Sequence, residues 1–320
     1  MQALGVLAAD QGVQLHEAPE PQVGEGEVMV DIAAAALNHR DVWITKGQYP
    51  GIAFPTILGS DGAGRIGDRE VIINPSFDWG DNPAVQGADY NILGLPRNGC
   101  FAERVAVPAE QVYDKPEHLT MAQAAALPLA GLTAYRALFT RAQVRAGERV
   151  LISGVGGGVA LFACQFALAI GAEVFVTSSS EEKIARAVEL GAQGGANYRT
   201  EDWAKAFGKQ TGGFDVIIDS AGGEGFKNLV RLCRPGGRIA FYGGTRGKFP
   251  ALSPQILFWK QISILGSTMG NATEFAAMVD LVRDKQIVPV VDREFALAEG
   301  PAAFDRMDQG LQFGKIVLTI

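Results

Sequence analysis

Residues 149–160 read Arg149-Val-Leu-Ile-Ser-Gly-Val-Gly-Gly-Gly-Val-Ala160. A short apolar run bounded by glycines predicts a buried strand, and the apolar stretch from Val159 to Ile170 predicts the helix directly after it. Turns of this kind bind dinucleotide phosphates: glycines let the backbone approach a pyrophosphate, and free amides at the helix N-terminus attract its charge. Tight turns also use glycine for their own sake, so the weight comes from the segments beyond the turn. Strand and helix keep alternating there: a strand at 173–177 with a helix over 181–190, a strand at 214–219 with a helix over 225–233, then strands at 238–242 and 262–266. Near-continuous Val/Ile strands separated by amphipathic helices predict a doubly wound α/β domain, a parallel sheet covered on both faces.

The second strand selects the nucleotide. NAD sites usually end this strand in Asp or Glu, which binds the ribose diol. Here it ends Thr177-Ser-Ser-Ser180, then Glu181-Glu-Lys183. Hydroxyls and a lysine bind a 2′-phosphate that a carboxylate would repel, so NADPH is the expected cofactor. The same residues also read as a helix start, with Ser179 as N-cap and Glu182 completing a capping box. Both readings hold together.

On the N-terminal side, residues 1 to about 117 read as short strands and loops, with apolar runs at 28–33, 70–73 and 102–107 between Gly, Pro and Asn clusters. This half is expected to be mostly β. An Ala/Leu-rich helix over 121–140, interrupted near Pro128, leads into the alternating region. The tail predicts a helix over 273–285, a strand over 288–291, a helix over 301–309 and a last strand over 315–320 suited to docking back on the first half. The expected domains are 1–119 completed by 270–320, and 120–269. The 320 residues, 48% hydrophobic and 20% charged, suffice for two such cores. A net charge of −7 disfavours nucleic acid as a partner. No run is apolar enough to span a bilayer. Three scattered cysteines and an N-terminus without a secretion pattern fit a reducing cytoplasm.

With these segments in order, the chain resembles the medium-chain dehydrogenase/reductase superfamily, in its zinc-free quinone oxidoreductase (zeta-crystallin-like) branch. The resemblance rests on Leu37-Asn-His-Arg-Asp-Val-Trp43, Leu58-Gly-Ser-Asp-Gly-Ala-Gly64, Asn98-Gly-Cys-Phe-Ala-Glu103, Gly131-Leu-Thr-Ala-Tyr-Arg-Ala-Leu138, the glycine turn, Ser180-Glu-Glu-Lys183, Asn197-Tyr-Arg199 and Gly314-Lys-Ile-Val-Leu318. It implies a GroES-like catalytic domain closed by the C-terminal segment, with a Rossmann domain between. It places cofactor contacts on Thr133, on the turn Gly156, Gly157, Gly158 and Val159, and on Ser178, Ser180, Lys183 and Tyr198 around the adenosine phosphate. Tyr242 and Gly243, with Ser267 and Thr268, fall on the nicotinamide side. The usual third glycine is Ala160 here, which is tolerated. The resemblance also implies a homodimer or tetramer paired through the 249–266 region.

Zinc-dependent relatives carry ligands at the positions of Asn38, Ser60 and Leu129; an amide, a hydroxyl and an alkyl group do not build a tetrahedral zinc site. The structural-zinc lobe would fall around 77–99, where Asp78, Asp81 and Asp89 read as solvated carboxylates. No metal is expected. Without a Lewis acid, acceptors that spread charge, such as quinones and α,β-unsaturated carbonyls, are the expected small-molecule substrates. A hydrogen-bond donor would steady the developing enolate, and Asn38 and Tyr49 are the candidates. His39 could shuttle a proton; water or the cofactor ribose could also supply it. The alternatives are an enoyl-thioester reductase of the same superfamily, which would need a basic groove, and an NADPH-binding protein without turnover.

Overall fold

The computed structural model describes residues 1–320, which divide into two compact units, Met1–Leu132 with Gly270–Ile320, and Thr133–Met269. In the first unit the central strand is β1 (Glu27–Ala36). It pairs antiparallel with β2 (Asp61–Ile66), which pairs with β3 (Arg69–Ile73). Strand β4 (Arg104–Pro108) also pairs with β1, and β5 (Val112–Asp114) closes the far edge against β3. Between β1 and β2 lies the short helix α1 (His39–Thr45). Strand β1 ends in four alanines, and helix α2 (Met121–Ala126), itself alanine-rich and buried, packs on β1 and β2. Small residues on both partners allow that close approach. Helix α2 therefore belongs with the first unit, although the change of rhythm near residue 120 suggested a boundary before it.

Helix α3 (Pro128–Tyr135) leads into the second unit. There the six strands are β6 (Arg149–Ile152), β7 (Glu173–Ser178), β8 (Gly194–Asn197), β9 (Phe214–Asp219), β10 (Cys233–Phe241) and β11 (Ser263–Gly266). All pairs are parallel, in the order β8-β7-β6-β9-β10-β11. The helices are α4 (Gly158–Ala169), α5 (Glu181–Glu189), α6 (Trp203–Thr211), α7 (Phe226–Leu232) and α8 (Pro254–Lys260). Phe207, Phe214, Phe226 and Ile239 form part of the core beside the sheet. Strand β8 and helix α6 had no clear sequence signature. The strand is Gly194-Gly-Ala-Asn197, without the branched side chains that mark strands.

The chain then returns to the first unit with α9 (Ala272–Asp284), β12 (Val291–Ala296), α10 (Gly300–Asp308) and β13 (Lys315–Thr319). Strand β13 pairs antiparallel with β1 and parallel with β12, so the C-terminus does dock on the first half. The expected strand at 288–291 starts instead at Val291, because Pro289 has no N–H to give a ladder. No helix is long and apolar enough to cross a membrane.

Strand β11 is a sheet edge, and none of the residues of α8 beside it is buried; Trp259 is 82% exposed and Phe258 64%. An unpaired edge flanked by bare aromatics is a liability that a second copy relieves. Light scattering at micromolar concentration should report a dimer or larger, and Trp259→Glu should shift it toward monomer. A wild-type monomer would mean that this face stays solvated.

Candidate functional site

In the first unit the chemistry gathers where β1 runs into α1. Asn38 is the N-cap of α1, but its amide does not serve the helix. Its Oδ1 accepts from Lys315 Nζ at 2.8 Å, and its Nδ2 donates to Asp61 Oδ2 at 2.9 Å and, at 3.5 Å, to Ala36 O. The Lys315 ammonium also donates to Asp61 Oδ2 and to Leu37 O, at 2.8 and 2.7 Å. The other carboxylate oxygen of Asp61 accepts from the Leu129 amide at 2.7 Å. Lys315 and Asp61 are almost wholly buried. Gly314 makes this possible: its φ is +119°, and a Cβ there would meet Val290 O at 2.3 Å. The strand enters β13 with Lys315 aimed inward because residue 314 has no side chain.

One amide hydrogen of Asn38, expected as a donor to substrate, is taken by Asp61, and the other lies 3.5 Å from Ala36 O, so the side chain bridges Lys315 and Asp61. Tyr49 differs. Its ring packs on the first unit's apolar cluster, and its hydroxyl oxygen accepts from Arg40 Nε at 3.4 Å, which leaves the phenol proton to donate. His39 lies beside Trp43, and its imidazole is held below its usual range by its surroundings first and then by the Lys315 charge, with Asp308 opposing.

The same arrangement shows why zinc does not fit. The Asn38 amide is committed, Ser60 Oγ donates to Leu93 O at 2.7 Å while accepting from Arg40, and Leu129 offers only alkyl carbon and a bonded amide. No three His, Cys, Asp or Glu side chains converge anywhere as a metal site. The nearby Cys100 thiol is held well above its usual range, by burial first and then by the Asp61 and Asp41 charges.

In the second unit the expected cofactor residues come together at the carboxyl ends of the parallel strands, where α/β sheets bind ligands. After β6, Gly154 donates to Thr177 Oγ1 at 3.1 Å and Val155 to Thr177 O at 2.7 Å, which pins the turn to the neighbouring strand. Gly157 caps α4 without a side-chain bond to the first turn, and the space over its Cα is open. Gly156, at φ +134°, would bring a Cβ within 2.9 Å of Lys183 Cδ, so Lys183 lies across the glycine turn. Gly158 and Val159 supply the next amides of α4, and Ala160 is buried beneath them. At the tip of β7, Ser178 Oγ accepts from Ser180 N, and Ser180 Oγ accepts from Lys183 N, both at 3.3 Å. Ser180, not Ser179, is thus the cap of α5, since β7 runs one residue further than expected. Tyr198 is 38% exposed and its amide donates to Ser178 O. Tyr242 and Gly243 follow β10, and burial raises the Tyr242 phenol well above its usual range against a bond to Ser220. Ser267 and Thr268 follow β11; Ser267 Oγ is buried without a partner, a hydroxyl that awaits one. Thr133 Oγ1 lies 3.7 Å from Met269 Sδ.

A phosphate-accepting glycine turn on a doubly wound sheet, with a GroES-like unit carrying a buried polar cluster, defines a two-domain oxidoreductase class. Residues 24–117 match the alcohol dehydrogenase GroES-like domain family, and residues 158–284 the zinc-binding dehydrogenase family. A zinc-type alcohol dehydrogenase-like protein of Schizosaccharomyces pombe is 36% identical over 95% of this chain and 94% of its own. A solved NAD-dependent alcohol dehydrogenase superposes with a TM-score of 0.94 at 34% identity, both chains fully covered. The quinone oxidoreductase of Thermus thermophilus, solved also with NADPH, gives 0.84 at 28% identity, again over the whole of both chains. The chain belongs to the medium-chain dehydrogenase/reductase superfamily.

Sequence reasoning passed over Arg40, Asp61 and Lys315 as working residues, although all three stand inside the motifs that carry the family resemblance. Asp41 was passed over too. It is wholly buried; its Oδ2 accepts from the Asn38 amide at 2.8 Å and its Oδ1 has no partner. Burial pushes its carboxyl up to about 6, against the opposing pull of Arg40, the Asn38 N–H and Lys315. A carboxyl raised in the folded state favours folding when protonated, so its contribution is lost as pH climbs from about 4 through 6. The loss amounts to about 3 kcal/mol. Melting curves of wild type and Asp41→Asn across this range should diverge, with only wild type showing that component of the decline; superimposable profiles would refute it. Lys315→Met should cost about 3–5 kcal/mol in denaturant unfolding, because it strands a buried carboxylate. A loss under about 1 kcal/mol, the scale of an exposed ion pair, would show that water reaches the pair.

Proposed function

We propose that this chain is an NADPH-dependent, zinc-independent oxidoreductase that reduces quinones or α,β-unsaturated carbonyl compounds. The observation that carries the nucleotide choice is Lys183 lying across Gly156, beside a strand tip of serines with no carboxylate. An ammonium and two hydroxyls suit a 2′-phosphate, and the uncapped amides of α4 suit the pyrophosphate. The NADPH complex of the Thermus quinone oxidoreductase supports this reading. The NAD dependence of the other solved relative belongs to that protein, and the serine tip argues for the phosphorylated nucleotide here. Ser267, with its unpaired hydroxyl, and Thr268, Tyr242, Gly243 and Thr133 are proposed for the nicotinamide side; Ser178, Ser180 and Tyr198 for the adenosine side.

When bound, NADPH supplies a hydride. On an enone the hydride adds at the β-carbon, the C=C electron pair moves toward oxygen, and a proton from solvent completes the saturated ketone. Tyr49 donates a hydrogen bond to that oxygen as charge builds. The amide, hydroxyl and alkyl group at Asn38, Ser60 and Leu129 support a reaction without a Lewis acid, for which acceptors that delocalise the charge are best suited.

Steady-state oxidation of NADPH with a small quinone or enone tests this. NADPH should bind at least about tenfold tighter than NADH, roughly 1.4 kcal/mol. Lys183→Ala should erase most of that preference and leave NADH nearly unchanged. Equal affinities in the wild type, or no turnover with either acceptor class, would sink the reading.

A further inference from the structure

Arg40 is a buried cation without an ion pair. Its side chain is 6% exposed, and all its hydrogen-bond partners are neutral oxygens. Nη1 donates to Ser60 Oγ at 2.6 Å and Leu93 O at 2.9 Å, Nη2 to Leu95 O at 3.4 Å, and Nε to the Tyr49 hydroxyl at 3.4 Å. Its Cζ stands 5.0 Å from the Tyr49 ring centroid, so the guanidinium both stacks on the ring and reaches its oxygen. The Asp41 carboxyl feels the Arg40 charge without an ion pair to it; burial raises that carboxyl to about 6, so near neutral pH it offsets the guanidinium only from a distance.

We propose that Arg40 is a positioning residue for the reduction: its fixed guanidinium holds the Tyr49 phenol with its proton directed outward and its oxygen polarised, so that Tyr49 meets an oxyanion as a strengthened donor. The proposal rests on the reading of Tyr49 given above. Three bonds to Ser60 and the 93–95 loop lock the guanidinium before any ligand arrives, which is the preorganisation that electrostatic stabilisation needs. A phenol that accepts from a cation donates more strongly, because hydrogen bonds in a chain polarise one another. A guanidinium bonded only to neutral oxygens also makes this corner more attractive to a negative oxygen than to a neutral one. In effect a guanidinium acting through a phenol takes over the polarising task at a place where zinc ligands are missing.

The test is a double-mutant cycle on the full chain with Arg40→Lys, Tyr49→Phe and both together. Arg40→Lys keeps the charge and a bond to Ser60 but loses the fork and the stack; Arg40→Gln serves if that variant melts early. Two quantities are read: kcat and KM for a quinone with NADPH, and binding of 4-nitrophenolate, an enolate-like anion, by calorimetry with and without NADP⁺. Tyr49→Phe should lower kcat by about 100-fold and Arg40→Lys by about tenfold, each with KM changed less than about twofold. The double variant should be no worse than Tyr49→Phe alone, in rate and in phenolate affinity alike. Additive losses, or an Arg40→Lys effect confined to KM and melting temperature, would show a merely structural tie and overturn the proposal. Phenolate binding with the expected non-additivity but no turnover would uphold the Arg40–Tyr49 device while refuting the quinone or enone activity. Turnover with additive losses would do the reverse.

Discussion

The first unit hangs on one ammonium group. Lys315 arrives from the C-terminal strand and donates to a backbone carbonyl, an amide oxygen and a carboxylate that come from the first 61 residues of the chain. Three short bonds exhaust its hydrogens, so its charge is satisfied in one geometry only. That geometry fixes the exit of β1, the start of α1, the head of β2 and, through Asp61, the Leu129 amide. A buried ion pair is weak evidence for stability in itself, but its directionality selects a single register. Here it joins segments separated by 254 residues, which hydrophobic packing alone would hold less specifically.

The second unit is organised by a different use of polar groups. Its glycine turn leaves amides without side-chain partners, while Thr177 ties the turn to the next strand. Amides without a side-chain cap, an open space over Gly157 and a lysine lying across Gly156 come together there. Beside the turn, Ser153 bonds Asp219, whose second oxygen takes the amides of Ala221 and Gly222. At the other end of the sheet Arg238 Nε is buried without a partner.

These two units carry their polar residues to opposite effect. Around Asn38 every amide and carboxylate oxygen of the Lys315 cage is spoken for, and the cluster is rigid. Around Arg40 the bonds also lock geometry, yet the guanidinium meets only neutral oxygens, and the Tyr49 hydroxyl that accepts from it still has its own proton to donate.

Local pattern was enough to establish the doubly wound sheet and the glycine turn, because strand burial and helix amphipathicity repeat with fixed periods. Residue type at a given distance from the turn pointed to the serines and Lys183 as the nucleotide end, and the structure places Lys183 across Gly156; the zinc-ligand positions at Asn38, Ser60 and Leu129 came from the family resemblance. Strand β8 stayed hidden because its glycines lack side chains to read, and the start of β12 because Pro289 displaces it. The partners of the Asn38 side chain were decided by folding alone. An amide is equally able to face a ligand or a neighbour, and the neighbour that claims it lies 277 residues away. The partners of Arg40 likewise come from distant segments, Ser60, the 93–95 carbonyls and the Tyr49 ring. Hydrogen-bond partners of buried polar groups are chosen across the whole chain, and no local pattern records that choice.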